Sequence, residues 1–374
     1  MDEFRKARGI VVTYSPTDPD YARGHEGITR TAIARVLASI QDYDFAGEYD
    51  PSIRYPGPVY FVPADTLVDG EAARGLGIRT EDDLFGGIVP HPFVATKMIT
   101  HPLVEPGAQA PDGWSPGFPH RVGQVVLPGF SAFTPHDARH AGARLLEGGA
   151  VRVKPGRGSG WRGQTVVAGL PELEAVLSAV DATELSCHGL VLEQNLTDVT
   201  TYSVGRVRVA GVTVSYCGVQ RVTTDNGGAA VYGGSDLLAV RGDYDALLRL
   251  NLAPEARLAV AQARVFDAAV EEFPGVLASR RNYDVAQGLD AEGRWCSGVL
   301  EQSWRIGGAS GPEVAALAVF RADPTLCAVH ASCVEAFGAS AEPPPRAIMH
   351  FRGVDDRIGP ITKYTLVEPY VSVR

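Results

Sequence analysis

Two acidic residues, a serine and an arginine are spaced so that together they could bind a metal ion and an anion. They lie in two segments, around Asp284 and Glu301, that are typical of the strands of a β-hairpin. If residues 292–293 form a two-residue turn, Asp284 lies directly opposite Glu301. Like charges so placed are destabilising, and a divalent cation is the simplest compensation. Ser303 and Arg305 follow Glu301 at period two, so this sheet face predicts magnesium ligands beside an anion-binding guanidinium.

A pair of solvated acids on an exposed sheet face is the alternative interpretation. The apolar neighbours of Glu301 in the segment GVLEQS favour the metal site. A four-residue loop at 290–293 would also leave both carboxylates on one face. In the metal-free protein, replacement of Glu301 by glutamine is expected to leave stability unchanged or slightly higher, because it removes one of two like charges.

A glycine-rich segment could bind phosphates. Gly158-Ser159-Gly160-Trp161-Arg162-Gly163 has the spacing G-x-G-x-x-G, but it runs from the strand VRVKP into the strand QTVVA. A dinucleotide-binding loop leads into a helix instead, and the phosphate-loop lysine after the last glycine is absent. What remains is a β-hairpin whose backbone N–H groups can contact phosphates, with Lys154 just before it as an ammonium donor. A mobile surface hairpin with a solvated lysine is the alternative.

The elements that must position these residues begin with a small α/β unit. Residues 9–14 and 58–64 are typical of buried strands, and residues 27–40 carry apolar side chains at helical spacing. This order predicts a parallel sheet over the first hundred residues. Residues 101–128 are rich in proline and glycine, which predicts a long connecting or lid segment.

The rest of the chain alternates between helical and strand patterns. Thr134 is the expected N-cap of a helix that starts at Pro135 and stops before Gly148 and Gly149. Further helices are predicted over 171–180, 254–272, 312–320 and 329–337, and strands over 188–196, 202–222, 275–288 and 294–308.

Composition limits the function classes. The chain has 374 residues, 45% of them apolar and 21% charged, which predicts two or three folded domains. The net charge of -10 disfavours binding to nucleic acid or to an anionic membrane. No apolar run predicts a transmembrane segment or a signal peptide, so we expect a cytoplasmic protein. The five cysteines are scattered and are interpreted as reduced.

The order of these parts resembles the ATP-grasp superfamily. The resemblance covers about residues 95–320, and within the superfamily the whole chain resembles a bacterial group of ATP-grasp-like proteins of unassigned activity. It implies an α/β (α+β) ATP-grasp fold preceded by a small α/β pre-ATP-grasp domain. The implied limits are 1–95 for that domain, 96–185 for the first ATP-grasp subdomain with the glycine-rich hairpin, and 186–374 for the second subdomain with the metal site and a C-terminal extension.

The resemblance also implies roles for individual residues, with ATP and Mg²⁺ as cofactors. Those it assigns to nucleotide binding are Lys97 and Lys154 at the phosphates, Gly158, Ser159, Gly160 and Gly163 in the loop over them, and Glu193, Gln194, Asn195 and Leu196 at the hinge that holds adenine. Those it assigns to the metal and to catalysis are Asp284, Glu301 and Ser303 at magnesium, and Arg305 with Lys154 at the transferred phosphoryl group. Ser303 replaces the usual asparagine, and Thr200 and Thr201 lie near the usual position of a ribose-binding glutamate.

The activity that the resemblance implies is an ATP- and Mg²⁺-dependent ligase, which phosphorylates a carboxylate so that an amine can attack it. A small-molecule kinase and a nucleotide-binding regulatory protein without turnover are the alternatives. The expected partners are small carboxylates and amines, with a homodimer left open. Substrate specificity is expected in the N-terminal unit, in residues 101–128 and in Arg280, Arg281 and Arg305, which could bind an anionic acceptor.

Overall fold

The computed structural model describes residues 8–15, 23–158, 163–338 and 342–370. Over these ranges the strands form four sheets that alternate with helices, so the predicted α/β (α+β) class is confirmed. None of the helices in these ranges is both long and apolar enough to cross a bilayer.

The N-terminal unit is a three-stranded parallel sheet covered by a helix. Its elements are β1 (Ile10–Tyr14), α1 (His25–Gln41), β2 (Asp44–Glu48) and β3 (Val59–Pro63), with the strand order β2-β1-β3. Strand β1 reads IVVTY, and its near-continuous apolar run is buried as expected for the central strand of a covered parallel sheet. The predicted strand-helix-strand unit is therefore confirmed, while β2 was not predicted.

A second small sheet ties this unit to the C-terminal half of the chain. It contains β4 (Leu67–Val68), β5 (Gly87–Val89) and β13 (Leu277–Ala278), and α2 (Gly70–Gly75) follows β4. After β5 come two 3₁₀ turns, Pro92–Ala95 and Lys97–Thr100, and the short helix α3 (Gly117–Val122). Helix α3 is the regular element of the proline-rich segment 101–128, and it packs against the core through buried Phe118 and Val122.

A four-stranded sheet holds the glycine-rich hairpin. Its elements are β6 (Gly129–Ala132), α4 (Pro135–Leu146), β7 (Val151–Pro155), β8 (Thr165–Val167), α5 (Leu170–Ala179), α6 (Ala182–His188) and β9 (Leu190–Gln194), with the strand order β6-β9-β7-β8. Strands β7 and β8 pair antiparallel, which confirms the hairpin. Thr134 Oγ1 accepts the Asp137 N–H at 3.0 Å, which confirms the N-cap. Strand β9 pairs with β6 and β7, although it lies after residue 185, where the first ATP-grasp subdomain was predicted to end. The three predicted domain limits stay a prediction.

The largest sheet has eight strands. Its elements and the helices around it are β10 (Thr197–Val209), β11 (Val212–Thr224), β12 (Ala230–Arg241), α7 (Tyr244–Leu248), α8 (Pro254–Ala269), β14 (Arg280–Leu289), β15 (Trp295–Ser303), α9 (Ser310–Ala322), β16 (Ala328–Phe337), β17 (Ile348–Asp355) and β18 (Gly359–Pro369). The strand order is β15-β14-β10-β11-β12-β16-β18-β17. Helix α8 packs on one face against Val204 and Tyr283, and α9 with α1 packs on the other face against Val207 and Leu237. Side chains alternate along a strand, so Asp284 projects from the face of α9 and α1.

The predicted helix over residues 329–337 is wrong, because this segment forms strand β16. Val329, Ala331 and Cys333 are buried at every second position while His330 is exposed, which is the period of a strand. Strand β16 pairs with β12 and β18 over most of its length. The hairpin of β17 and β18, which the sequence pattern did not predict, then extends the sheet beyond β16.

Candidate nucleotide and metal site

The two predicted metal carboxylates lie opposite each other on paired strands. Asp284 of β14 pairs with Glu301 of β15, as expected. The turn between the strands differs from the expectation, because it spans residues 290–294 and is fixed by the Asp290 side chain, which accepts two backbone N–H groups at 2.9 Å. A β-bulge at Leu300 corrects the register, and without it Glu301 would project from the other face.

The carboxylate of Asp284 is electrostatically strained. Burial, followed by the charge of Glu301, raises its pKa to about 6. Hydrogen bonds from Gln220 and from Asn282, whose Nδ2 lies 3.0 Å from Asp284 Oδ1, oppose this shift without cancelling it. A cation between the two carboxylates would remove the strain.

Glu301 already has a cationic partner. Lys97 Nζ lies 3.0 Å from Glu301 Oε2 and also donates to the carbonyl of Gly158. Lys97 is only 3% exposed, and the turn Lys97–Thr100 carries it there. This ion pair argues against the expectation that a glutamine at position 301 would not destabilise the metal-free protein, because that change would leave a buried ammonium without its full counter-charge.

Lys154 and Glu193 form a second buried ion pair. Both side chains are almost completely buried, and they are in direct contact. His101 Nε2 lies 3.3 Å from the other oxygen of Glu193. Burial alone would raise the pKa of Glu193, but Lys154 and His101 hold it at about 2, so this carboxylate is ionised. The interpretation of Lys154 as a solvated lysine on a surface hairpin is thus wrong. His101 lies in the irregular segment, where no pattern in the sequence could assign it a role.

Two cavities meet at the carboxylate pair. The smaller, about 60 Å³, is lined by Lys154, Glu193, Gln194 and Leu196 among others. The larger, about 440 Å³, is lined by Lys97, Gly158, Ser303 and Arg305 among others. Asp284 and Glu301 line both.

Two of the predicted nucleotide-binding residues that the structure describes lie outside both cavities. Asn195 lines neither cavity, and its Oδ1 accepts from Arg152 at 2.7 Å. Gly163 also lies outside both cavities. Ser159 and Gly160 lie outside the described residues, as do Trp161 and Arg162.

The smaller cavity has an apolar floor and a polar rim. Leu127, Leu196 and Ala286 form a buried cluster beneath it, against which Leu300 packs. Thr201 Oγ1 is buried at its edge and has no hydrogen-bond partner within the described ranges. A flat apolar surface with nearby donors and acceptors is suited to a planar heterocycle.

The larger cavity lies between the N-terminal unit and the C-terminal strands. Residues of α1, including His25 and Arg30, form one wall, and residues of β16–β18, including Lys363, form another. Arg305 also lines this cavity, and its Nε lies 3.6 Å from Asp65 Oδ1. About one-third of the Arg305 side chain is exposed, so its guanidinium is accessible to a ligand.

Comparison with known proteins identifies the family and the fold. Residues 12–365 match the family described as "Protein of unknown function (DUF3182)". The chain belongs to this family. No curated protein sequence matches it. Its structure is similar to that of N5-carboxyaminoimidazole synthetase from Staphylococcus aureus, with 12% identity and a TM-score of 0.51 over 97% of this chain and 94% of that one.

Two further structures show the same likeness. The ADP complex of PurK, N5-carboxyaminoimidazole ribonucleotide synthetase, has 12% identity and a TM-score of 0.52 over 98% of this chain and 94% of that one. Phosphoribosylamine–glycine ligase from Thermotoga maritima has 12% identity and a TM-score of 0.50 over 96% and 92%. These structures have the ATP-grasp fold, and the fold implied by the resemblance is therefore confirmed for this DUF3182 chain.

The side chains at the carboxylate pair fit a magnesium ion that is shared with a nucleotide. Within the described ranges no group of three or more His, Cys, Asp or Glu side chains could hold a metal by itself. Magnesium is commonly held by one or two carboxylates together with phosphate oxygens, so Asp284 and Glu301 would hold it jointly with the nucleotide. When bound, the ion would offset phosphate charge. The strained carboxylate of Asp284 is the observation that supports this fit.

Two of the three arginines expected to bind an anionic acceptor are engaged elsewhere. Arg281 projects from the opposite sheet face, where its Nη1 donates to Asp267 at 3.0 Å. Arg280 is buried against Glu313 of α9. Arg281 does not line the larger cavity, so the acceptor-binding role predicted for it is wrong. Arg280 does line it, but its donors are engaged by Glu313 and by backbone carbonyls, and Arg305 is the most exposed of the three.

Proposed function

We propose that the chain is an ATP- and Mg²⁺-dependent ligase that activates a carboxylate as an acyl phosphate for attack by an amine. One observation carries this proposal: the carboxylate pair Asp284 and Glu301 lines both cavities. A nucleotide with its base in the smaller cavity would pass its phosphates over this pair and direct the γ-phosphate into the larger cavity. The larger cavity then has the position required of an acceptor site.

The charged side chains are arranged for transfer of a phosphoryl group between the cavities. Lys154 and Lys97 would offset the charge of the phosphates, and Arg305 would stabilise the group in transit. In the first step a carboxylate oxygen of the acceptor bonds to the γ-phosphorus while the bond from that phosphorus to ADP breaks. In the second step the amine nitrogen bonds to the acyl carbon, inorganic phosphate leaves, and the nitrogen loses a proton.

A screen for ADP release tests the proposal. The protein is incubated with ATP and Mg²⁺ and with pooled carboxylic acids, with and without pooled amines. We expect ADP release that requires a carboxylate, and an amide product when an amine is present. Arg305→Met should abolish release, whereas Arg352→Met, which changes an exposed arginine on β17, should not. Failure of the wild-type protein to bind ATP in calorimetric titration would overturn the proposal.

The same screen separates the alternatives. A phosphorylated product that forms without an amine and persists would instead make the protein a small-molecule kinase. ATP binding without ADP release across the pools would favour a regulatory protein. The motivating features are Ser303 in place of the usual asparagine, and Thr200 and Thr201 near the usual position of a ribose-binding glutamate.

A further inference from the structure

A buried ion pair lies at the wall of the larger cavity, where Arg280 is one of the lining residues. Arg280, the first residue of β14, donates through Nε and Nη2 to the two carboxylate oxygens of Glu313, each at 2.7 Å. The side chains of Arg280 and Glu313 are 1% and 0% exposed. Neither residue has a part in the proposed chemistry.

The third nitrogen of Arg280 holds the backbone that carries Arg305. Its Nη1 donates to the carbonyl of Ser303 at 3.1 Å and to the carbonyl of Arg305. Strand β15 ends at Ser303, so the backbone of Arg305 lies beyond the sheet ladder. The guanidinium of Arg280 thus anchors a segment that strand pairing does not.

Downstream of the anchor Ile306 is buried in the core, but the backbone has left the strand ladder. It continues into Gly307 and Gly308 before α9 begins. Trp304, between the two anchored carbonyls, is buried on the opposite side against Gly87, where an added Cβ would lie 2.8 Å from the Trp304 Cβ. The Arg305 side chain itself is partly exposed, with a 3.0 Å bond to its neighbour's carbonyl and a 3.6 Å contact to Asp65. Its direction therefore depends mainly on where the backbone is held.

A stabilising role is a poor explanation for this ion pair. Desolvation of two buried charges offsets their attraction, and well-packed apolar residues of similar volume often serve stability equally well. What an arginine adds is a planar fork whose donors point in fixed, different directions. In Arg280, Nε and Nη2 donate to Glu313, and Nη1 donates to the carbonyls of Ser303 and Arg305.

We propose that Arg280, oriented by Glu313, is a positioning residue that directs Arg305 toward the γ-phosphate of bound ATP. This inference rests on the proposed function, because it assumes that Arg305 contacts that phosphate. It predicts that the pair contributes to the recognition of ATP and not of ADP, which lacks the group that Arg305 would contact.

Arg280→Lys is the informative variant. A lysine keeps a positive charge beside Glu313, but a single ammonium on a flexible stem cannot replace a fork that reaches both the carboxylate and the two carbonyls. Arg281→Lys is the matched control, since Arg281 is the next residue of the same strand, is also paired with an acid, and contacts neither carbonyl.

The test is calorimetric titration of the full chain with Mg²⁺ and either ADP or an ATP analogue whose β–γ bridge is nitrogen. We expect Arg280→Lys to weaken binding of the analogue about ten-fold and to change ADP binding less than two-fold. Ten-fold is the lower end of the range of effects that is typical when a residue supporting a metal ligand is replaced. The quantity to compare is the affinity for the analogue divided by the affinity for ADP. Arg305→Met should lower this ratio at least as far as Arg280→Lys does. In a protein that already carries Arg305→Met, adding Arg280→Lys should lower the ratio no further. Arg281→Lys should leave the ratio unchanged.

Several outcomes would overturn the inference while leaving the proposed function intact. An equal loss of both affinities in Arg280→Lys would show a general structural effect. If Arg280→Lys has the wild-type ratio of analogue affinity to ADP affinity, the position of Arg305 does not depend on the guanidinium of Arg280. A further loss in the Arg305→Met background would show that the two arginines act independently. If the wild-type protein binds neither nucleotide, the proposed function itself fails.

Discussion

Replacement of Asp284 by asparagine should stabilise the protein in the absence of metal. The pKa of Asp284 is raised from 3.8 to about 6, and about two pK units correspond to about 3 kcal/mol. Water in the cavities screens this charge, and the new amide would present a second donor to Gln220, so we expect a net gain of about 1–2 kcal/mol. For a chain of this size the melting temperature should then rise by about 1–3 °C at pH 7.5.

The pH dependence has a defined sign. A raised carboxyl pKa means that the folded state binds the proton more tightly, so the destabilising contribution of Asp284 is absent below about pH 4 and complete above about pH 6. The gain from the asparagine should be about half as large at pH 5 as at pH 7.5. Asp356→Asn, which removes an exposed charge in the turn between β17 and β18, serves as the control.

Magnesium should reverse the ranking of the two proteins. With ATP and Mg²⁺ the wild-type protein should gain thermal stability, and the Asp284→Asn variant should lose most of that gain, because one of two carboxylate ligands is absent. A variant with wild-type melting at every pH would refute the reasoning that the two carboxylates repel. A variant that keeps its full magnesium-dependent shift would refute the metal site.

Two further substitutions test the buried ion pairs, and one labelling experiment tests a buried thiol. Lys154→Met should lower stability by about 3–5 kcal/mol, because Glu193 would remain buried without its ammonium partner; urea unfolding with an unchanged midpoint would contradict this. Glu301→Gln should lower the melting temperature of the metal-free protein, because Lys97 loses its counter-charge, and a higher melting temperature would show that repulsion dominates instead. Burial raises the pKa of Cys333 to about 11, so iodoacetamide at pH 8 should label it at least about ten-fold more slowly than the two exposed cysteines. Mass spectrometry that finds equal labelling would refute its burial.

The opposition of Asp284 and Glu301 was predictable because a strand alternates with period two and the two segments flank one turn. The prediction reached the correct pair through two differences that offset each other. The real turn is longer than the assumed one, and the bulge at Leu300 shifts the register back. A bulge depends on the packing and hydrogen bonds of the surrounding fold, which hairpin arithmetic does not include.

The error over residues 329–337 has a similar origin. The segment VHASCVEAF contains alanine and glutamate, which favour helices, and its apolar residues fit helical and strand spacing almost equally well. Pairing with β12 on one side and β18 on the other decides the matter. Both partners are distant in sequence, and β18 was not predicted.

The ion pairs of the site could not be predicted from the sequence at all, and they change what the two lysines mean. A lysine as deeply buried as Lys97 or Lys154 would be strongly destabilising if it had no counter-charge. Glu301 and Glu193 supply that charge, so each pair offsets the cost of burying an ammonium group beside the cavities. The acids at this site therefore have a role besides the proposed binding of a metal and a base. They are the reason that positive charge is present beside the carboxylate pair where the two cavities meet.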